Sequence, residues 1–212
     1  MAQDRFREDV EAILRKMRSN LDDAEYAKML VLKDRLLRLN SKKLVKINHS
    51  VMELVCAQHL IQNGFNVELE HSLERVSCDL YAVKGYGSII GEVETGFVPP
   101  ENAVDPNTYL NARIASKITR YSGFANKFIL VTPPYYIMGI PPALTKPPRF
   151  RTDEEIAAIK GLCDLYYTSP PVSLEEIRNA RLHSILAVDV DNVSVREWDV
   201  NEYLGKAALW TV

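Results

Sequence analysis

Apolar positions recur three and four residues apart along residues 4–18 and again along 21–40, separated mostly by charged residues and Asn. Phe6, Val10, Ile13, Leu14 and Met17 make one stripe, and Tyr26, Met29, Leu30, Leu36 and Leu37 the other. This period predicts two amphipathic helices, with breaks at Asn20 and Asn40. A third helical segment, from about Ser50 to Asn63, stops at Gly64, the first glycine of the chain, which suits a left-handed C-terminal residue. The period then changes to two. Phe65-Asn66-Val67-Glu68-Leu69-Glu70 alternates as a half-buried strand, and residues 77–96, SCDLYAVKGYGSIIGEVETG, read as a β-hairpin.

Pro99 to Pro106 reads as a loop, Tyr109 to Tyr121 as a helix, and Lys127 to Thr132 as a buried-type strand. The prolines of residues 133–151 exclude regular structure there. Thr152-x-x-Glu155 and Ser173-x-x-Glu176 match capping boxes that open helices. Ser184 to Val190 and Val193 to Trp198 are two further strands, in a tail expected to be rich in β structure. Helices first, then βββαβ, then two helices and closing strands define the α/β class. Residues 1–46 are expected to be an N-terminal helical extension and residues 47–212 an α/β domain.

The hairpin carries acids where apolar residues would serve a half-buried sheet. Glu92 and Glu94 must share one face, with Val93 on the other. A two-residue loop at Gly85-Tyr86, or a four-residue loop at Lys84–Gly87, sets Asp79 opposite Glu92. A three-residue loop puts Asp79 on the far face unless a bulge restores it. Opposed carboxylates repel, and a divalent cation removes that penalty. On the preceding helix, Gln58, His59, Gln62 and Asn63 gather on one side. Leu54, Cys56, Ala57, Leu60 and Ile61 gather on the other, with Glu53 in the middle of the apolar side. A buried carboxylate needs a partner, a proton or a metal. Pairing with an arginine, Arg75 or Arg113, is the alternative to a functional role.

Composition narrows the classes. The chain has 212 residues, 47% apolar and 25% charged, an ordinary globular balance with no apolar run of membrane-spanning length. Its N-terminus lacks the apolar core of a secretory signal, and its three cysteines show no metal-ligand spacing. A reducing, cytoplasmic setting is the expectation. The net charge of −2 gives no global pull on a polyanion, so a local basic patch or metal ions must hold one. His49, His59, His71 and His183 read as surface residues, and no phosphate-binding loop or nucleophile elbow occurs.

A helix with an inward Glu, a Gly stop, a strand, then Asp, then two acids spaced by one residue resembles the PD-(D/E)XK nuclease superfamily. The layout is most similar to archaeal Holliday-junction resolvases and restriction-endonuclease-like proteins, over roughly residues 50–132. The acidic pattern is also similar to that of the superfamily member from archaeal spindle-shaped viruses. Glu53 matches the helix Glu of resolvase-like members, Asp79 the motif Asp, and Glu92 the first acid of (D/E)XK. Two positions depart: Cys78 stands where Pro is usual, and Glu94 where Lys is usual.

The resemblance implies a restriction-endonuclease-like core, a mixed central sheet flanked by helices. It also implies a metal-dependent DNA endonuclease that hydrolyses phosphodiester bonds in duplex or branched DNA. Asp79 and Glu92, with Glu53, would hold Mg²⁺ or Mn²⁺, and Glu94 would orient the attacking water or accept its proton. Arg113, Lys117 and Arg120, at i, i+4 and i+7, form a basic ridge for DNA phosphates, and Lys117 is placed to stand in for the absent motif Lys. The apolar stripes of the first two helices must be buried on the domain's own sheet or on a second copy, and the need to reach two strands makes a homodimer the expectation. A catalytically silent DNA-binding module on the same fold, and a protein–protein adaptor working through the N-terminal helices, are the alternatives.

Overall fold

The computed structural model describes residues 2–74 and 76–209. Three helices open the chain: α1 (Ala2–Met17), α2 (Asp23–Ser41) and α3 (Ile47–Gln62). Strands β1 (Asn66–Ser72), β2 (Ser77–Lys84) and β3 (Gly87–Val93) follow, then α4 (Pro106–Tyr121) and β4 (Lys127–Thr132). The proline-rich stretch holds only the single turn α5 (Pro142–Thr145) and a short 3₁₀ turn before α6 (Asp153–Asp164) and α7 (Leu174–Asn179). Strands β5 (Ser184–Asp189) and β6 (Ser194–Trp198) and a last helix, α8 (Val200–Ala207), complete it. Capping boxes open α6 and α7, as Thr152-x-x-Glu155 and Ser173-x-x-Glu176 require. α8 departs from the expected β-rich tail. Asp199 starts it by accepting the backbone N–H groups of Asn201 and Glu202.

The six strands form one open mixed sheet in the order β1-β2-β3-β4-β5-β6. β3, β4 and β5 run parallel, and the three outer pairings are antiparallel. Alternation along the strands sorts the core into two layers. Leu80, Val93, Ile129, Val131, Leu186 and Val188 pack with α1, α2 and α3. Ile90, Phe128, Leu130 and Ile185 pack with α4, α6 and α7.

The N-terminal helices belong to the first layer. Phe6, Val10, Ile13, Leu14 and Met17 of α1, and Met29 and Leu36 of α2, are buried in the same core as α3 and the sheet. Their buried apolar residues are thus covered by the chain's own core. All three cysteines are free and buried. Among the described residues no helix is long and apolar enough to cross a membrane.

Candidate active site

The hairpin turns through two residues, Gly85 and Tyr86, with Lys84 paired to Gly87 and Leu80 to Gly91. Gly85 takes a positive φ of 58°, which a glycine adopts without steric cost. One step further this register sets Asp79 opposite Glu92, the even pairing that brings the acids together. There the ladder gives way to side chains. The Asp79 N–H donates to Glu92 Oε1 at 3.2 Å, and the Val93 N–H donates to Asp79 Oδ2 at 2.6 Å.

On its other side β2 pairs with β1 through Leu69–Leu80 and His71–Cys78. Between these pairs Glu70 has φ +50°, an unusual conformation for a non-glycine. Strand β2 turns over at this point: Leu80 belongs to the α3-side core and Cys78 to the α4-side core. The Arg35 guanidinium of α2 holds the kink by donating to the carbonyls of Leu69 and Glu70. Asp79 thereby sits where both helical layers reach it.

From the α4 side comes Lys117. Its ammonium lies 3.2 Å from Glu92 Oε2, 3.0 Å from Glu94 Oε1 and 3.7 Å from Asp79 Oδ2, and donates to the Val93 carbonyl at 2.7 Å. Arg113, one turn earlier, donates through Nε to Glu94 Oε1 at 2.7 Å. Burial alone disfavours the Lys117 ammonium, but Glu92, Asp79 and Glu94 outweigh it and hold its pKa above the usual value. Glu92 moves the other way from an ordinary carboxyl: burial first, then the Asp79 charge, push it up to about 8.

From the α3 side come Glu53 and His49. Ligand atoms of His49, Glu53 and Asp79 all lie within 4.8 Å of one another. Glu53 is fully buried, and neither of its carboxyl oxygens has a hydrogen-bond partner. Burial first, then the charges of Asp79, Glu70 and Glu92, raise its pKa well above the ordinary range. Arg113, one alternative partner, is engaged by Glu94 instead, and Arg75, the other, lies outside the described residues. His49 is half-buried, and desolvation lowers its pKa, which keeps the imidazole neutral and able to ligate.

The four acids of the sequence reading thus converge in one place. His49 was missed, although its spacing gave a signal: it precedes Glu53 by four residues, so both point from one face of α3. The three cations of the basic ridge all find partners within the fold. Lys117 and Arg113 turn inward onto the acids, while Arg120 donates to the Pro170 carbonyl and stacks on Tyr167. None of the three stands free in solvent, because each finds a closer acceptor within the fold.

The donor set suits a hard divalent cation. With every group ionised, Glu53, Asp79, Glu92 and Glu94 face only Lys117 and Arg113, leaving two negative charges. Two carboxylates and one imidazole could hold a metal ion, the carboxylates suiting Mg²⁺ or Mn²⁺ and the imidazole the later first-row metals. Glu53 Oε1 and Oε2 and Glu94 Oε2 are buried without partners, which is where added positive charge is most stabilising. Comparison with protein families, with curated proteins and with solved structures found no match to this chain.

Proposed function

We propose that this chain is a metal-dependent nuclease of the PD-(D/E)XK type, hydrolysing phosphodiester bonds in duplex or branched DNA. The observation that carries this reading is Glu53, a buried carboxylate with both oxygens unpartnered, converging with His49 and Asp79. His49, Glu53 and Asp79 would hold Mg²⁺ or Mn²⁺, with Glu92 beside them through its contact with the Asp79 N–H. A bound divalent cation supplies Lewis-acid stabilisation of charge on the phosphate and makes water more acidic at neutral pH.

The remaining residues take roles that follow from their contacts. Arg113 and Lys117 fix Glu94 through Oε1, leaving Oε2 free to accept a proton from the attacking water. Lys117 brings a permanent positive charge to the place where phosphate oxygens gain negative charge, the work of the motif Lys that Glu94 replaces. In-line attack by water needs no covalent intermediate.

A catalytically silent DNA-binding descendant is the second reading. The observation favouring it is that the three N–H donors of Lys117 are matched by Glu92, Glu94 and the Val93 carbonyl. Calorimetry with Mn²⁺ on the wild type and on Asp79→Ala, alongside cleavage of duplex and four-way-junction DNA with and without chelator, separates the two. Metal binding lost in the variant, together with metal-dependent cleavage by the wild type, is the expected outcome. Wild-type protein that takes up no Mn²⁺ refutes the metal-dependent reading. Metal binding without cleavage of either DNA leaves the silent module.

A further inference from the structure

The irregular segment between β4 and α6 and the stretch leading from α7 into β5 enclose an open cavity of about 680 Å³. Five cationic side chains line it: Lys146, Arg149, Arg151, Arg178 and Arg181. Arg151 is the buried floor. Its five N–H donors meet the carbonyls of Ala143, Leu144 and Lys146 from the proline-rich segment and of Ile177 and Arg178 from α7. The guanidinium is satisfied by dipoles, with no carboxylate among its partners.

The rim is only partly neutralised. Asp153 pairs with Arg178 at 2.8 Å, and Glu155 pairs with Lys146. Arg149 and Arg181 make no ion pair with any described residue, so three of the five charges are left over. Burial disfavours the Arg151 cation, the nearby Glu155 charge favours it, and the Arg181 charge, a smaller effect, disfavours it. In a chain of net charge −2, folding has gathered like charges against their mutual repulsion. A bound polyanion relieves that repulsion.

Guanidinium forks match phosphate oxygens, and their spread along an open rim suits more than one phosphate. The wall contains no Phe, Tyr or Trp, and its only aromatic ring, His183, accepts the Phe128 N–H through Nδ1. The charges rather than the rings dominate the wall, so recognition would be chiefly of the backbone, without sequence choice. The cavity also borders the helix that carries Lys117. The Arg181 N–H donates to the Oγ of Ser122, which follows the last residue of α4. Lys117 lies five residues earlier, roughly 7.5 Å along the helix axis. We propose that this cavity is a phosphate-backbone site for duplex DNA, holding the substrate in place of the inward-turned α4 cations. The proposal rests on the nuclease reading for the identity of its ligand.

The test is fluorescence anisotropy of a labelled DNA duplex in EDTA, across a salt series, so that neither metal nor cleavage contributes. Arg149→Glu/Arg181→Glu is compared with Arg7→Glu/Arg15→Glu, an equal charge reversal on exposed positions of α1, with circular dichroism to check folding. The cavity variant should bind at least about tenfold more weakly, with the log–log salt slope reduced by about 2, while the α1 variant stays within about threefold of wild type. Equal losses in both variants, or none in the cavity variant, overturn the proposal. So does displacement of the DNA by low-millimolar inorganic phosphate at constant ionic strength, since that marks a small-anion site. DNA binding that follows the cavity charges in a protein that never cleaves sinks the nuclease reading and leaves this site standing. Cleavage by a cavity variant that binds like wild type does the reverse.

Discussion

Glu53→Gln isolates the buried carboxyl at the centre of the site, because glutamine keeps its shape and removes its charge. In the metal-free folded protein Glu53 stays protonated well above the 4.5 of an ordinary glutamate, chiefly because burial excludes water from the charged form. In the unfolded chain it ionises normally. Between those two pKa values the folded state holds a proton that the unfolded state has released, so stability falls as pH rises. Each such group contributes about 1.4 kcal/mol per pH unit across that window. Glu92 adds a second contribution of the same sign, running from 4.5 up to about 8.

Glu70, pushed up to about 7 by burial and the Asp79 charge, adds a third; glutamine has no proton to lose, so the variant should drop one of the three slopes. Measured by urea unfolding in EDTA as pH rises from about 5, the variant should gain on wild type, by at most about 1.4 kcal/mol for each pH unit. Saturating Mn²⁺ should stabilise the wild type by about 2.7 kcal/mol at a hundredfold excess over Kd, and the variant by less. Parallel stability curves in EDTA would refute the reasoning, since they would mean that Glu53 is already ionised and compensated in the native protein.

Two further variants probe the surroundings. Lys117→Met removes a cation from among carboxylates that are nearly or wholly buried, and should cost roughly 3–5 kcal/mol at neutral pH in chelator, read by urea unfolding. Gly96 has φ +73°, and a Cβ there would meet the Tyr136 ring at 2.7 Å. Gly96→Ala should therefore destabilise by more than about 1 kcal/mol in thermal melts, whereas Gly123→Ala, at an open position, should not.

Much of this architecture was legible because the pattern is local. The helical period of residues 4–18 and 21–40, the Gly64 stop and the two capping boxes each report short-range chemistry, and the corresponding elements form where these signals lie. The meeting of Asp79 with Glu92 was legible only as a conditional, since it depends on a hairpin loop whose length the residues alone left open. The burial of the α1 and α2 stripes within their own sheet was not legible. An apolar face records that it must be covered and not by what. The inward turn of the α4 ridge was not legible for a related reason. Helical spacing places Arg113, Lys117 and Arg120 along one line, but the acceptors that draw them inward, Glu94, Val93 and Pro170, come from strands and loops remote in sequence.

The partnering of Glu94 follows from the same long-range geometry. A cation on β3 at that position would sit beside Glu92 on one strand. Here it arrives from the helix packed above, 23 residues later in the sequence, and reaches the same carboxylates. Lys117 and Arg113 together carry two positive charges to Glu94, so the acid on the strand is answered by two bases on the helix. The balance is achieved without touching Glu53, whose oxygens remain unpartnered on the opposite side of Asp79. Charge is therefore divided across Asp79: a neutralised half toward α4 and a deficient half toward α3. A cation entering from solvent gains most on the α3 side, where no protein base competes for the same oxygens.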